Sequence, residues 1–307
     1  HVPFNNFNNV LLNDRAIATQ IPYIDKNTEM ESVTNCTAIE SGWVWNIPLY
    51  TRIGTGYVYS SKYATEEEAE EQFRSHLAKT DAKRAKEAEV VHLKIRHGIH
   101  EKCWVKNVVG IGLASGFIEP LESTGLMLTH ENILFLLRAL TRREGQVNKI
   151  DVDSFNDSVN TTMEGFKQFI SQHYAFAGRN DTPYWQDVTN KVTYSKTFED
   201  FSLPKKPVVD TFKQTAYNLN IYNGLDESGG LIYILAGQGY NPVTAIDAKM
   251  SDIKFGEFDY ASVKDTFSER KKDVQEFIDL MPTHYEFLTD EFHLNKEVQT
   301  EGICDEQ

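Results

Sequence analysis

Residues 112–125 read Gly-Leu-Ala-Ser-Gly-Phe-Ile-Glu-Pro-Leu-Glu-Ser-Thr-Gly, and this stretch decides how the chain is interpreted. It is a turn rich in Gly and Ser that runs into an apolar helix pattern. A helix N-terminus presents unpaired N–H groups and the positive end of the helix dipole, so it attracts anions. The carboxylate of Glu122 stands beside this predicted anion site, with Ser123 and Thr124 as its neighbours. An anion site next to an acid suggests chemistry on an anionic reactant.

A second informative stretch lies about 70 residues earlier, where residues 43–48 read Trp-Val-Trp-Asn-Ile-Pro. Trp43 and Trp45 are two positions apart, so on a strand both side chains lie on the same face. Two tryptophans packed in the core are the ordinary interpretation of such a pair.

Composition places the chain among ordinary globular proteins. Its 307 residues are enough for a large core, as one big domain or two, and the 40% hydrophobic and 25% charged content is typical. The net charge of −14 and the lack of a basic patch argue against a nucleic-acid partner. No run approaches the ~18 apolar residues of a membrane span, and the first residues do not resemble a signal peptide.

Three cysteines, Cys36, Cys103 and Cys304, are widely spaced and odd in number. They are interpreted as reduced thiols of a cytoplasmic protein and not as a disulfide framework or a metal cluster. Seven of the nine histidines lack metal-ligand spacing and are interpreted as surface or core residues. They are His92, His97, His100, His130, His173, His284 and His293.

The residue pattern predicts an α/β (α+β) fold, with a mixed sheet part over residues 1–150 and a mostly helical part over residues 151–307. Short β-favouring runs are broken by Gly and Pro at residues 37–39, 43–45, 47–50 and 57–59, and further strands are predicted at 90–96 and 105–111. Thr65 caps a charged helix over residues 66–88, and another helix ends near residue 143. In the second part, Asp153 or Ser154 caps one helix, and a final helix covers residues 260–281.

A dinucleotide-binding loop is missing from the sequence. Such a loop follows a strand as Gly-x-Gly-x-x-Gly and opens a helix. Residues 54–56 and 237–239 both read Gly-x-Gly, but neither precedes a helix pattern, and both are rejected. We therefore expect this chain alone to bind a dinucleotide cofactor poorly, because it lacks a glycine loop that would hold the phosphates.

Together the two stretches resemble the flavin-dependent halogenases of the tryptophan halogenase type. The Trp-x-Trp-x-Ile-Pro motif of that family matches residues 43–48, and its Glu-Pro-Leu-Glu-Ser-Thr segment matches residues 119–124. The resemblance continues over nearly the whole chain, through residues 11–14, 51–59, 180–183, 236–239 and 282–285. It implies a flavin monooxygenase-like fold, with a flavin-binding and catalytic domain over residues 1–150 and a substrate domain over residues 151–307.

The resemblance begins partway along the family's pattern. The catalytic lysine of the family precedes the Trp-x-Trp motif, and no residue of this chain matches it, because Lys79 follows the motif. The chain therefore looks like the carboxy-terminal portion of a larger halogenase, and we expect it to be inactive alone.

Catalytic and halide-binding roles are implied for four consecutive residues. Glu122, with Ser123 beside it, is the catalytic acid that activates the electrophilic halogen and accepts the ring proton. Thr124 and Gly125 bind the halide through their backbone N–H groups. The structural alternatives are that Glu122 merely favours the helix dipole, worth ~0.3–1 kcal/mol, that Ser123 caps the helix, and that Gly125 permits tight packing.

Flavin-contacting roles are implied for four further residues. Leu113 and Leu126 match positions that touch the flavin, although both would otherwise be core residues. Trp43 and Trp45 match tryptophans that lie near the flavin and disfavour direct oxygenation of the substrate.

The implied activity is FAD-dependent halogenation of an electron-rich aromatic substrate with halide, oxygen and reduced flavin. A separate flavin reductase supplies the reduced FAD. The alternatives are a flavin-dependent aromatic monooxygenase and a truncated, non-catalytic flavoprotein fragment. A homo-oligomer is compatible with the sequence, whereas nucleic acid and membrane are not expected partners.

The substrate region departs from the family's pattern. Aligned without gaps, the residues that clamp a free amino acid are replaced by Gln214, Thr215, Ile221, Leu225 and Asp226. A pocket without partners for a buried ammonium or carboxylate disfavours free tryptophan. We therefore expect other indoles or phenols as substrates, with bromide or iodide used at least as well as chloride, unless the nearby tyrosines at positions 217 and 222 replace the clamp.

Overall fold

The computed structural model describes residues 2–142, 145–190 and 260–293, together with the single positions 234, 237 and 238. The strands are β1 (Phe4–Asn6), β2 (Arg15–Ile21), β3 (Asn35–Ile39), β4 (Gly42–Pro48), β5 (Ile53–Tyr59), β6 (Val91–Lys94), β7 (Gly98–His100), β8 (Trp104–Val105), β9 (Val108–Val109) and β10 (Gly116–Phe117). The helices are α1 (Lys26–Glu29), α2 (Glu66–Ala78), α3 (Ala82–Glu87), α4 (Gly125–Thr141), α5 (Lys149–Ala175), α6 (Pro183–Asn190), α7 (Tyr260–Leu280) and α8 (His284–Leu288). The predicted α/β (α+β) class is confirmed.

The largest sheet has the strand order β3-β4-β5-β2-β6, and all its neighbouring strands are antiparallel. Trp45 of β4 lies opposite Gly56 of β5. A Cβ atom on Gly56 would come within 2.2 Å of the Trp45 ring, so only glycine leaves room for the indole to lie across β5. Val44 and Tyr57 face the other side, where they form a core with Phe73 of α2.

Helix α2 begins as the sequence predicts. The Thr65 side chain accepts a hydrogen bond from the Glu68 backbone N–H, and the Glu68 side chain accepts one from the Thr65 N–H, which is a capping box. The prediction of one helix to residue 88 was wrong, because α2 ends at Ala78. Asp81 then caps a new helix, α3, by accepting from the Arg84 N–H.

Two smaller sheets lead the chain toward residues 112–125. Strands β1, β7 and β10 form one antiparallel sheet, and β8 and β9 form a short hairpin. The single strand predicted over residues 105–111 was wrong, because the chain reverses at Lys106, whose φ is +55°. The Trp104 indole donates to the Lys106 carbonyl and holds this turn.

Helix α5 packs on a hydrophobic core to which β4 also contributes a side chain. Its buried face includes Phe155, Val159 and Tyr174, and the same core contains Trp43 and Ile99. The predicted cap at Asp153 or Ser154 was wrong, because Asn148 caps α5 in a box with Asp151. The helix therefore begins at Lys149, and the proposed division into domains at residue 150 stays a prediction.

The final helix is confirmed, since α7 runs from Tyr260 to Leu280. Helix α8 follows it and ends in a π-helical turn, Thr289–His293. None of the helices in the described ranges is long and apolar enough to span a bilayer.

Candidate active site

Glu122 ends a short 3-10 turn, Pro120–Glu122, which leads directly into α4. Ser123 follows in the left-handed conformation, with φ 53° and ψ 28°, and redirects the chain. Thr124 is the N-cap residue of α4, but its side chain makes no capping hydrogen bond. The first N–H groups of α4 are therefore left without a side-chain cap, and Glu122 stands one turn away from them.

The side chain of Glu122 contacts a histidine that the sequence did not single out. His173, near the end of α5, places Nε2 2.6 Å from Glu122 Oε1. The Glu122 side chain is 32% exposed and that of His173 is 13% exposed, so the pair lies at the edge of the interior. The sequence predicts only that His173 is a surface or core residue, and its largely buried side chain agrees, but its contact with Glu122 was not predicted. No sequence spacing reveals the pair, because its members are 51 residues apart.

His173 is held on several sides. Its Nδ1 lies 3.1 Å from the carbonyl oxygen of Phe169, and the Phe169 ring meets the imidazole edge-on, with the ring centroids 5.4 Å apart. The Gln238 side chain donates to the carbonyl of His173 at 2.8 Å. The imidazole therefore has a fixed orientation toward Glu122.

The negative charge of Glu122 affects the pKa of the Cys36 thiol on β3. Cys36 is an exposed residue, but partial desolvation of its thiol raises the thiol pKa to about 11, and the negative charge of Glu122 contributes to the same shift. Cys36 pairs with Trp45 in the β3–β4 register. Glu122 therefore lies within electrostatic reach of the edge strand β3, which pairs with the strand that carries the Trp-x-Trp motif.

The first glutamate of the same segment is the centre of a buried network. Glu119 is fully buried, and its Oε2 accepts hydrogen bonds from Asn13 Nδ2 at 3.0 Å, Trp43 Nε1 at 3.1 Å and the Tyr174 hydroxyl at 2.7 Å. The Glu119 N–H donates to His97 Nδ1, and His97 Nε2 contacts the Asn13 carbonyl. Burial and the Glu119 charge raise the pKa of Tyr174 well above its usual value. Three donors stabilise Oε2 of this buried carboxylate, whereas Oε1 has no hydrogen-bond partner among the described residues.

The structure brings together some of the residues predicted from sequence. Trp43 and Trp45 lie side by side, with ring centroids 6.2 Å apart. Thr124 is buried, and its hydroxyl has no hydrogen-bond partner among the described residues. A Cβ atom on Gly125 would meet nothing within 4 Å, so tight packing does not explain this glycine.

Leu113 and Leu126 are not core residues. Leu113 is 80% exposed and Leu126 is 76% exposed. The turn that carries Leu113 lies against the first turns of α4, because a Cβ atom on Gly112 would come within 3.0 Å of the Thr129 hydroxyl. Two exposed apolar side chains therefore flank the uncapped helix N-terminus.

This arrangement fits the groups that the sequence implies. An uncapped helix N-terminus, the partnerless Thr124 hydroxyl and open space at Gly125 fit a small anion such as a halide. The exposed side chains of Leu113 and Leu126 fit the flat apolar face of a flavin ring. Within the described ranges, no three His, Cys, Asp or Glu residues come together as metal ligands.

The predicted amino-acid clamp and Cys304 lie outside the described residues. The five clamp positions are Gln214, Thr215, Ile221, Leu225 and Asp226. The interpretation of these positions stays a prediction.

Comparisons with known proteins agree with the motifs. Residues 1–250 match the protein-family model described as "Tryptophan halogenase". The chain is 32% identical over 287 residues to the 7-chloro-L-tryptophan 6-halogenase KtzR of Kutzneria sp. (strain 744), covering 94% of this chain and 52% of that protein.

Solved structures show the same likeness. The VirX1 apo structure superposes with a TM-score of 0.81 and 38% identity, covering 94% of this chain and 55% of that one. The tryptophan 6-halogenase SttH of Streptomyces toxytricini gives a TM-score of 0.74 and 32% identity, covering 94% of this chain and 53% of that one. The chain thus spans about half the length of the relatives it matches.

Proposed function

We propose, on the premise that this chain belongs to the tryptophan halogenase family, that it carries the substrate-side catalytic residues of an FAD-dependent aromatic halogenation. The reaction uses halide, oxygen and reduced FAD, and a separate flavin reductase supplies the reduced FAD. The observation that carries the proposal is the Glu122 carboxylate, which His173 holds beside the uncapped N-terminus of α4.

The halide and the flavin would be bound by the start of α4 and the turn beside it. The backbone N–H groups of Thr124 and Gly125 bind the halide, and the positive end of the α4 dipole favours its charge. Leu113 and Leu126 contact the flavin ring. When bound, the reduced flavin supplies hypohalous acid from oxygen and halide.

Glu122 performs the proton chemistry at the aromatic ring. Its carboxylate accepts the proton that the ring loses when the halogen is added, which is a general-base role. Ser123 supports Glu122 through its backbone. The left-handed conformation of Ser123 turns the chain directly after Glu122 and so helps to position the Glu122 side chain.

The two tryptophans would exclude direct oxygenation of the substrate. Glu119 fixes Trp43 through its indole N–H. Trp45 packs against Trp43 and lies across Gly56, so both rings are held in place. Two fixed indole rings would separate the substrate from the flavin and still let the small hypohalous acid molecule pass.

We further propose that the substrate is an electron-rich indole or phenol other than free tryptophan. This proposal rests on the sequence of the clamp positions 214–226, and it differs from the substrates that the relatives' names give. Bromide or iodide should serve at least as well as chloride, and the reaction would take place in the cytoplasm.

Mass spectrometry of the products tests the proposed function. The complete gene product is incubated with a flavin reductase, NADH, FAD, oxygen, one halide and a panel of indoles, phenols and tryptophan. We expect a halogenated product in the wild type and loss of it in Glu122→Gln, with reduced-FAD oxidation unchanged. Oxygenated products without halogen would identify a monooxygenase, and absence of any product would favour a non-catalytic flavoprotein.

A further inference from the structure

We propose that His173 and Glu122 share one mobile proton, and that this pair, rather than Glu122 alone, serves both proton transfers of the halogenation. The inference rests on the proposed function and deepens it. Glu122 is the catalytic residue that touches the reacting groups, and His173 positions it and holds its proton.

The hydrogen-bond partners of the imidazole fix where its protons lie. His173 Nδ1 faces the carbonyl oxygen of Phe169 at 3.1 Å, and a carbonyl oxygen can only accept, so Nδ1 carries a hydrogen. The other ring nitrogen, Nε2, lies 2.6 Å from Glu122 Oε1. At that distance one proton must lie between the two atoms. Either Nε2–H donates to the carboxylate, or protonated Glu122 donates to Nε2.

The surroundings keep the pair together. His173 is largely buried, and the Phe169 ring and the Gln238 side chain hold it in place. The next residue, Tyr174, is anchored to the buried Glu119. The end of α5 therefore cannot rotate without breaking this network, and the imidazole cannot swing away from Glu122.

Among the described residues, the other titratable groups near the pair are not hydrogen-bonded to it. The thiol of Cys36 on β3 stays neutral near neutral pH, because partial desolvation and the Glu122 charge raise its pKa to about 11. Glu119 and Tyr174 bind each other and do not bond to the pair. The proton is therefore exchanged between Oε1, Nε2 and the reacting groups.

One shared proton balances the whole reaction. When the halogen of hypohalous acid bonds to the ring carbon through ring π electrons, the oxygen–halogen bond breaks and its electrons stay on oxygen. That oxygen takes the proton from Glu122 and leaves as water, and neutral His173 remains beside an ionised carboxylate. The carboxylate then removes the ring hydrogen as a proton, and the C–H electrons restore aromaticity. Hypohalous acid and arene become haloarene and water, and the pair regains its single proton.

Replacement of His173 by glutamine tests whether His173 must take up a proton or only has to hold Glu122 in position by a hydrogen bond. The amide of His173→Gln offers an N–H near the position of Nε2, so it still donates to Glu122, but it cannot take up a proton. We expect halogenation turnover to fall about 100-fold, with reduced-FAD oxidation unchanged. His130→Gln, an exposed position on α4, serves as the matched control and should behave as the wild type. Wild-type turnover in His173→Gln would overturn the proposal, because a purely supporting histidine is replaceable by this amide.

Nitrogen NMR of the complete gene product, labelled with 15N-histidine, tests the pair without any turnover. We expect His173 Nδ1 to be protonated and Nε2 to show the intermediate shift of a shared proton. A spectrum with Nδ1 bare and Nε2 alone protonated would overturn the inference. This measurement still decides if His173→Gln fails to fold. If the wild type itself forms no halogenated product, the proposed function fails, whereas the spectrum continues to report on the pair.

Discussion

Trp43 donates its indole N–H to the Oε2 atom of Glu119 at 3.1 Å, so the two motifs of the chain meet inside the protein. The Trp-x-Trp motif lies on β4 and the Glu-Pro-Leu-Glu segment follows β10, and 76 residues separate the two bonded side chains. Residues 173 and 174 of α5 complete the link, because His173 holds Glu122 and Tyr174 holds Glu119. The helix therefore positions both glutamates of the segment.

The first prediction concerns the hydrogen bond that Trp43 of β4 donates to Glu119. Trp43→Phe removes one of three donors to a buried carboxylate, which we expect to lower the free energy of unfolding by about 1–3 kcal/mol. Urea denaturation followed by circular dichroism measures the loss. Trp45→Phe is the matched control, because Trp45 makes no hydrogen bond to Glu119. An equal loss in both variants would show that ring packing, not the hydrogen bond, accounts for the effect.

The second prediction concerns pH. Because burial and the Glu119 charge raise the pKa of Tyr174, the folded protein keeps this phenol protonated after the unfolded chain has lost its proton near pH ~10. The unfolded state then binds fewer protons, so this contribution to stability falls as pH rises above ~10. Tyr174→Phe should be less stable than the wild type at pH 7, and the difference should narrow at alkaline pH. A constant difference from pH 7 to 11 would contradict the assigned cause.

The third prediction uses Cys36 as a sensor of the Glu122 charge. Partial desolvation is the larger cause of the raised thiol pKa and the Glu122 charge is the smaller one, so Glu122→Gln should lower this pKa without restoring its ordinary value. Alkylation of Cys36 by iodoacetamide at pH 9 should become faster in that variant, as measured by peptide mass spectrometry. Glu40→Gln, which removes a carboxylate that does not act on Cys36, is the control. Unchanged alkylation in Glu122→Gln would place the two side chains further apart than the structure does.

The sequence alone predicted the parts of this site that are contiguous in the chain. Residues 119–125 form a local unit, so their pattern alone located Glu122 beside a helix N-terminus. The partner His173 comes from a helix 51 residues away, and only tertiary packing of α5 on the core brings it there. The errors in element boundaries have local causes. Asn148 and Asp151 offer a capping box as good as later acidic residues, and a positive φ at Lys106 leaves no signature in a β-favouring run.

The last prediction distinguishes an effect of Gly125→Ala on halide binding from an effect on stability. Gly125 begins α4, and a methyl group there would meet nothing within 4 Å. Gly125→Ala should therefore keep or raise the free energy of unfolding, by up to ~1 kcal/mol, because alanine favours a helix over glycine. If the N–H groups at this position bind halide, the same methyl group crowds the anion, and the KM for halide should rise while the KM for the aromatic substrate stays unchanged. Gly165→Ala on α5 is the matched control, since a methyl group there also meets nothing within 4 Å. A halide KM in Gly125→Ala equal to that in Gly165→Ala would mean that the anion binds elsewhere.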